Sequence, residues 1–172
     1  MIPFAHAKSI YEIPVDFYKS HHVKYLFLDL DNTLDSYKVY EPSDRAIRLI
    51  SELKSGGITP IILSNNHAKR VKRYADILGI AFYHHVFKPF SFKIKKIMKE
   101  LGIAPEEAMM IGDQMITDVN AGNGAKIKVI LTDKIVKEDQ FTTHFNRFFE
   151  RPFRNHYMKY KVKDWREAYG QD

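Results

Sequence analysis

Two aspartates that follow an apolar run are the first residues in this chain whose types and spacing could do chemistry. Asp29 and Asp31 come directly after residues 25–28, a run predicted to form a buried strand. Alternate residues of a strand point the same way, so the two carboxylates would share one side and repel each other. Clustered carboxylates are typically neutralised by a hard divalent cation such as Mg²⁺. The alternative is a polar turn in which Asp31, Asn32 and Thr33 only end the strand.

Polar side chains also follow three later apolar segments. Ser64 follows a predicted strand at 58–63, Lys88 follows an apolar segment around 80–87, and the pair Asp113 and Asp118 follows a predicted strand at 108–111. In an open parallel sheet, ligands bind at the carboxyl ends of the strands, so these groups are expected to meet Asp29 and Asp31 in one crevice. Each has a structural alternative by itself, such as Ser64 capping the next helix. Their combination favours a catalytic site.

In order and spacing, these motifs resemble those of a known family. Asp29-x-Asp31-x-Thr33, Ser64, Lys88-Pro89 and Gly112-Asp113-x4-Asp118 look like the four motifs of the haloacid dehalogenase (HAD) superfamily, over residues 25–131. Within it, the chain is most similar to the small YqeG-type phosphatases of subfamily IIIA, which include phosphatidylglycerophosphate phosphatases. That closer similarity rests on residues 8–13, 112–118 and 142–147.

The resemblance implies a Mg²⁺-dependent phosphomonoester hydrolase. Asp29 would attack phosphorus and form an aspartyl-phosphate, while Asp31 would protonate the leaving group and later activate water. The implied Mg²⁺ ligands are the Asp29 carboxylate, the Asp31 backbone carbonyl and Asp113. Behind them, Asp118 would orient Lys88 or water, and Thr33 would hydrogen-bond within the nucleophile loop. The groups implied to bind or stabilise the phosphoryl group are Ser64, Lys88 and Asn65, although Asn65 and Asn66 also fit a helix N-cap.

Periodicity predicts how these residues are positioned. Predicted helices at 42–54, 67–78, 92–101 and near 116–123 alternate with the strands named above and one more at 127–131. This alternation predicts an α/β fold with a Rossmann-like parallel sheet covered by helices on both faces. The segments between Asp31, Ser64 and Lys88 are too short for an inserted cap, since domains need about 50 residues or more. The resulting capless, open crevice favours a large or surface-bound phosphate ester.

Composition limits the remaining possibilities. With 172 residues, 45% of them hydrophobic, the chain suits a single domain spanning 1–172. It has neither a membrane-spanning apolar run nor a secretory signal, so a cytoplasmic protein is expected. There is no cysteine, which excludes disulfides and thiolate metal ligands. The histidine pairs at 21–22 and 84–85 lack the spacing of a zinc site.

A basic and aromatic segment at 141–163 is a second signal, within a C-terminal extension at 141–172. It carries six Lys or Arg residues against one acid, Glu150. Basic and aromatic residues in alternation predict peripheral contact with an anionic membrane surface, here the inner membrane face. A terminal helix that docks its phenylalanines on the domain fits equally well. Nucleic-acid binding is not expected, because no nucleic-acid module is recognisable.

Substrate class remains open between two kinds of ester. The resemblance and the open crevice favour phosphatidylglycerophosphate, and a soluble sugar phosphate, nucleotide or phosphoprotein is the alternative. The alternative to an enzyme is a phosphate-binding or scaffold protein that has kept the fold without activity. Such a protein would be indicated by the loss of Asp29, Asp31 or Asp113, and all three are present, which favours the enzyme.

Overall fold

A six-stranded parallel sheet forms the centre of the protein, for which a computed structural model describes residues 2–136 and 162–169. The strand order is β1-β6-β5-β2-β3-β4, and every pair of neighbours is parallel. The predicted α/β fold is therefore confirmed. The edge strand β1 was not predicted, because it has only 3 residues. The strands are β1 (Ala5–Ala7), β2 (Tyr25–Leu28), β3 (Thr59–Leu63), β4 (Ala81–Tyr83), β5 (Ala108–Gly112) and β6 (Lys128–Thr132).

Helices connect the strands and agree with the predicted pattern for the three longest. The helices are α1 (Val15–Ser20), α2 (Asp44–Ser55), α3 (Ala68–Leu78), α4 (Phe92–Leu101) and α5 (Asn120–Gly124). Both α3 and α4 end at glycines in the left-handed region, Gly79 at φ 60° and Gly102 at φ 66°, a conformation that favours glycine. The helix predicted near 116–123 is a π-helix (Met115–Val119) followed by the short α5.

The sheet has a hydrophobic core on each face. Leu26 and Leu28 pack in a cluster with residues of α1, α2 and α3, whereas Phe27 between them packs in a second cluster with residues of α4 and α5. This split follows from the two-residue period of a strand. A strand buried on both faces reads as a continuous apolar run, which is why the strand at 25–28 could be predicted.

Two loops leave the carboxyl ends of the central strands, and neither holds an inserted domain. Residues 29–43 join β2 to α2, and residues 64–67 join β3 to α3. The longer loop is anchored by the buried carboxylate of Asp35, which accepts hydrogen bonds from Tyr74 Oη at 2.6 Å and from the Ser43 amide at 2.9 Å. The loop that follows Asp31 is thus fixed to α3 and to the start of α2.

One predicted feature of the sheet is wrong. Strand β4 ends at Tyr83, so Lys88 does not directly follow a strand as expected from the apolar segment at 80–87. Residues 84–87 instead form an irregular connection in which His85 and Phe87 have positive φ angles of 47° and 61°. An extended strand cannot continue through residues in that region of backbone space.

The described end of the C-terminal extension packs on the domain. The His6 amide donates to the Lys163 carbonyl at 2.9 Å, and the Trp165 amide donates to the His6 carbonyl at 2.9 Å. Trp165 and Ala168 are buried. Residues 162–169 therefore brace the edge of the sheet beside β1, while most of the basic segment at 141–163 lies outside the described residues. Within the described parts of the chain, no helix is long and apolar enough to cross a membrane.

Candidate active site

The central position of β2 brings the predicted residues together. In the sheet register, Leu28 is paired with Ile111 of β5 on one side and with Ile62 of β3 on the other. Asp29 is therefore the first residue after β2. It lies next to the end of β5, which is followed by Asp113, and next to the end of β3, which is followed by Ser64. Carboxylate oxygens of Asp29, Asp113 and Asp118 all lie within 4.8 Å of one another, and the three residues are buried.

Lys88 lies inside this acidic cluster. Its ammonium donates to Asp29 Oδ1 at 2.6 Å, to Asp118 Oδ1 at 2.7 Å and to the Leu63 carbonyl at 3.0 Å. The Lys88 side chain is only 2% exposed. Three acceptors around one ammonium use all of its donors, so the side chain is held in one position.

Burial and neighbouring charge act on both partners of this pair. Burial raises the pKa of Asp29 well above its ordinary value; Lys88 opposes the rise, and Asp118 and Asp113 add to it. For Lys88, burial by itself lowers the pKa, but the carboxylates of Asp118 and Asp29 outweigh burial and raise the pKa above its ordinary value. Lys88 is therefore a permanent cation in the cluster, and ionised Asp29 is costly without further positive charge.

These residues fit a divalent cation. Three buried carboxylates against the single ammonium of Lys88 leave a negative charge that a hard cation would neutralise, and carboxylate oxygens are the donors that Mg²⁺ prefers. Asp118 Oδ1 is bonded to Lys88, and Asp118 Oδ2 accepts from the Gln114 amide at 3.0 Å. This arrangement leaves Asp29 and Asp113 as the better-placed carboxylate ligands and favours an orienting role for Asp118.

A glycine permits the close approach of Asp118. A Cβ atom added to Gly112 would overlap the carboxyl group and the Cβ atom of Asp118. The glycine that ends β5 is therefore required by the packing of the side chain six residues further along the chain. Of the predicted motif Gly112-Asp113-x4-Asp118, each of the three named residues thus has a distinct place in the site.

The loop after β3 positions Lys88 from the other side. The Asn65 side chain donates to the Lys88 carbonyl at 2.9 Å and accepts from the Lys88 amide at 2.9 Å. The N-cap of α3 is His67, so the alternative interpretation of an asparagine at this cap is wrong. Ser64 is buried, and its hydroxyl oxygen accepts a hydrogen bond from the backbone N–H of Asn66 at 3.0 Å. Asn65 holds the backbone of Lys88 in place, which compensates for the early end of β4.

The carboxylate of Asp31 is not part of the acidic cluster of Asp29, Asp113 and Asp118, and it is held by side chains of α3 and of the loop before that helix. Its Oδ1 accepts hydrogen bonds from Arg70 Nε at 3.0 Å and from Arg70 Nη2 at 2.5 Å. Its Oδ2 accepts a hydrogen bond from the side-chain amide of Asn66 at 3.0 Å. Thr33 donates to Asp29 Oδ2 at 3.3 Å, within the loop that follows β2. Sequence reasoning missed Arg70, because periodicity marks only the buried residues of α3 and gives no partner for an arginine on its other side.

Comparison with known proteins identifies the family. Residues 9–126 match the family model of haloacid dehalogenase-like hydrolases, and the chain belongs to that family. It is 35% identical over 150 residues to a protein of Bacillus subtilis (strain 168) named probable phosphatase YqeG, and the match covers 87% of each chain. This chain is accordingly a phosphatase of the family.

Solved structures show the same fold at lower identity. One is a 3-deoxy-D-manno-octulosonate 8-phosphate phosphatase of Moraxella catarrhalis, solved with magnesium and phosphate ions, with a TM-score of 0.56 and 22% identity over 69% of this chain and 74% of that one. Another is a putative hydrolase of subfamily III A from Legionella pneumophila, with a TM-score of 0.53 and 20% identity over 71% of this chain and 72% of that one.

Proposed function

We propose that this phosphatase hydrolyses phosphate monoesters through an aspartyl-phosphate on Asp29, with Mg²⁺ held by Asp29, the Asp31 carbonyl and Asp113. The observation that carries the proposal is the buried contact of Asp29 with Lys88 beside Asp113 and Asp118. When bound, the cation supplies positive charge that neutralises the carboxylates and the phosphoryl oxygens. Side chains of the protein carry out the nucleophilic attack of the first catalytic step and the proton transfers of both steps.

In the first step, a carboxylate oxygen of Asp29 attacks phosphorus and the bond from phosphorus to the ester oxygen breaks. Asp31 gives its proton to the departing alkoxide, which leaves as an alcohol. The ammonium of Lys88, fixed at 2.6 Å from Asp29, stabilises the negative charge spread over the transferring oxygens. Ser64 supports these oxygens from the end of β3.

In the second step, water attacks the phosphorus atom of the aspartyl-phosphate. Asp31, now a carboxylate, takes the proton of that water, and the bond between phosphorus and the Asp29 oxygen breaks. Inorganic phosphate leaves, and both aspartates return to their starting states. The reversal of role at Asp31 needs a carboxyl group that is accessible to solvent, and the side chain of Asp31 is 20% exposed, against 1% for Asp118.

Chelation of metal should remove the activity. In EDTA, hydrolysis should fall to background, and Mg²⁺ should restore it, because the candidate ligands are hard oxygen donors. Mg²⁺ binding is measured independently of activity by the unfolding temperature. Addition of Mg²⁺ should raise the unfolding temperature of the wild type and should not raise that of Asp113→Asn. Full activity of a metal-free preparation would refute the proposal, as would restoration by Zn²⁺ and not by Mg²⁺.

The proposed substrate is phosphatidylglycerophosphate at an anionic membrane surface. Besides the family resemblance and the basic segment at 141–163, a surface cluster next to Lys88 supports this choice. Phe87, Phe90 and Phe92, here called the phenylalanine cluster, are 55%, 64% and 60% exposed, and the ring of Phe92 lies 6.3 Å from that of Phe87 and 6.4 Å from that of Phe90. Exposed aromatic rings beside lysines of α4 are typical of surfaces that insert into the interface of an anionic bilayer.

Removal of the phenylalanine cluster should weaken binding to vesicles. The wild type should co-sediment with vesicles that contain anionic phospholipid and not with neutral ones, and Phe90→Ser with Phe92→Ser should reduce binding, because two rings no longer enter the interface. The matched control is Ile77→Ser, which removes a side chain 51% exposed on α3. Equal loss of binding in the control would contradict a specific role for the cluster.

The contribution of the basic segment is measured separately. Replacement of Arg147, Arg151 and Arg154 by Gln should reduce vesicle binding in a salt-dependent way, since each surface lysine or arginine contributes about 1 kcal/mol near an anionic leaflet. Hydrolysis of lipid phosphate should fall with binding. If neither the arginine variant nor the phenylalanine variant changes lipid hydrolysis, and soluble phosphate esters are the better substrates, the soluble alternative replaces phosphatidylglycerophosphate.

A further inference from the structure

A groove with a cationic lining opens beside Asp31. It has a volume of about 810 Å³ and lies between residues 37–40 of the loop after β2 and the first half of α3. The described residues that line it include no carboxylate. Here called the cationic groove, it is lined by four cations and two tyrosines, namely Lys38, Lys69, Arg70, Arg73, Tyr37 and Tyr40.

The two walls of the cationic groove are tied together. Arg70 on α3 donates through Nη1 to the Val39 carbonyl at 2.7 Å, and its guanidinium lies 5.3 Å from the centre of the Tyr40 ring. Arg73 is ion-paired with Glu41. The contacts of Tyr74 with Asp35 hold the base of the same loop. The groove is therefore formed before any ligand enters, which lowers the cost of ordering on binding.

The position of Asp31 links this groove to the reaction. Asn66 and Arg70, which hold the two oxygens of Asp31, both line the groove. In the proposed mechanism Asp31 protonates the ester oxygen that leaves. The leaving group must therefore extend from the acidic cluster past Asp31, and the cationic groove is the space on that side.

We infer that the cationic groove is a subsite for a second phosphate group carried by the leaving group of the substrate. This inference rests on the proposed hydrolysis of phosphate monoesters. Lys69 and Arg73 are exposed and four residues apart, so they project from one side of α3 into the groove. An arginine fork and a lysine point charge are the groups that suit phosphate oxygens.

A second phosphate can come from two sources with the same local chemistry. One is the phosphodiester of a lipid headgroup, and the other is a soluble ester that carries two phosphates. The subsite would recognise the anionic oxygens in both cases. The source is distinguished by comparing a soluble pair, glycerol bisphosphate and glycerol monophosphate, with short-chain phosphatidylglycerophosphate below its micelle concentration.

The experiment measures kcat/KM for these three substrates in the presence of Mg²⁺. Wild-type protein should prefer a substrate with two phosphates over glycerol monophosphate by more than about tenfold, beyond the factor of about two that two equivalent esters give by statistics. The gain should appear mainly in KM, because the second phosphate is bound in the ground state as well as in the transition state. The preference should shrink as salt rises.

Charge-removing variants locate the subsite. In the double variant Lys69→Gln with Arg73→Gln, the preference should fall roughly five- to tenfold, as expected for two partly screened ion pairs. Lys69→Arg conserves the charge and should retain the preference. The matched control is Lys72→Gln, which lies on the same helix, pairs with Asp76 and does not line the groove; it should leave the preference unchanged.

The outcomes separate the subsite from the proposed function. Hydrolysis of all three substrates without preference, or an equal loss of preference in Lys72→Gln, would overturn the subsite and leave phosphatase activity standing. Absence of hydrolysis of every ester would overturn both. A preference confined to the lipid, and lost in the double variant, would identify the phosphodiester as the ligand, whereas a preference shared by glycerol bisphosphate would identify any second phosphate.

Discussion

Asp29→Asn should abolish turnover and leave the fold intact. The amide is a poor nucleophile and a poor ligand for Mg²⁺, so the bond to phosphorus cannot form and the cation loses one of its proposed ligands. The expected decrease in kcat/KM is roughly 10³- to 10⁶-fold, the range found when a nucleophile is removed from an enzyme that retains its binding groups. Steady-state kinetics with a soluble ester measure this change, and circular dichroism measures the fold.

The stability of Asp29→Asn provides a second test. One of three buried carboxylates loses its charge, and Lys88 keeps its contact with Asp118 at 2.7 Å, so the free energy of unfolding in chelator should not decrease. The control is Asp76→Asn, an exposed aspartate paired with Lys72, which should keep full activity. Wild-type turnover by Asp29→Asn would exclude the aspartyl-phosphate mechanism, and unfolding of the variant would show a structural role for Asp29.

The acidic end of the site could be predicted because its elements are local. Asp29 and Asp113 each follow a strand that is buried on both faces, and such strands read as apolar runs in the sequence. Parallel strands place their ends at one edge, so convergence follows from the topology alone. The same reasoning located Ser64, at the end of β3.

Lys88 shows the limit of this reasoning. The residue type and its order among the motifs predicted that Lys88 belongs to the site. The backbone that leads to Lys88 was not predicted, because β4 ends at Tyr83 and the chain continues through positive φ angles at His85 and Phe87. The amide group of Asn65 compensates by binding the backbone of Lys88 across 23 positions of sequence. A local sequence pattern does not predict a hydrogen bond between a side chain and the backbone of a residue so distant in sequence.

Arg70 and Asp35 were missed for a related reason. Arg70 meets Asp31, and Tyr74 meets Asp35, each across 39 positions of sequence. Tyr74 is buried on α3, but helical periodicity could not show that its hydroxyl reaches the carboxylate of Asp35. The walls of the cationic groove depend on such pairs, so the groove became visible only in three dimensions.

Lys88→Met should be the most destabilising single substitution in the site. Methionine nearly fills the volume but donates no hydrogen bond, so Asp29, Asp118 and the Leu63 carbonyl lose their common donor. Three buried carboxylates would then repel each other without a cation. Removal of one partner from a buried ion pair costs about 3–5 kcal/mol, and the free energy of unfolding measured by urea denaturation in EDTA should fall by that amount.

Charge and packing make different contributions to this loss, and two further variants separate them. Lys88→Met combined with Asp118→Asn should recover part of the lost stability, because one of the repelling charges is gone. Addition of Mg²⁺ should reduce the difference in the free energy of unfolding between the wild type and Lys88→Met. Lys96→Met, at an exposed lysine 3.8 Å from Glu100, should change stability little. If the double variant is no more stable than Lys88→Met, the loss comes from packing; the buried charge of Lys88 then does not stabilise the cluster, and the electrostatic basis for its catalytic role fails.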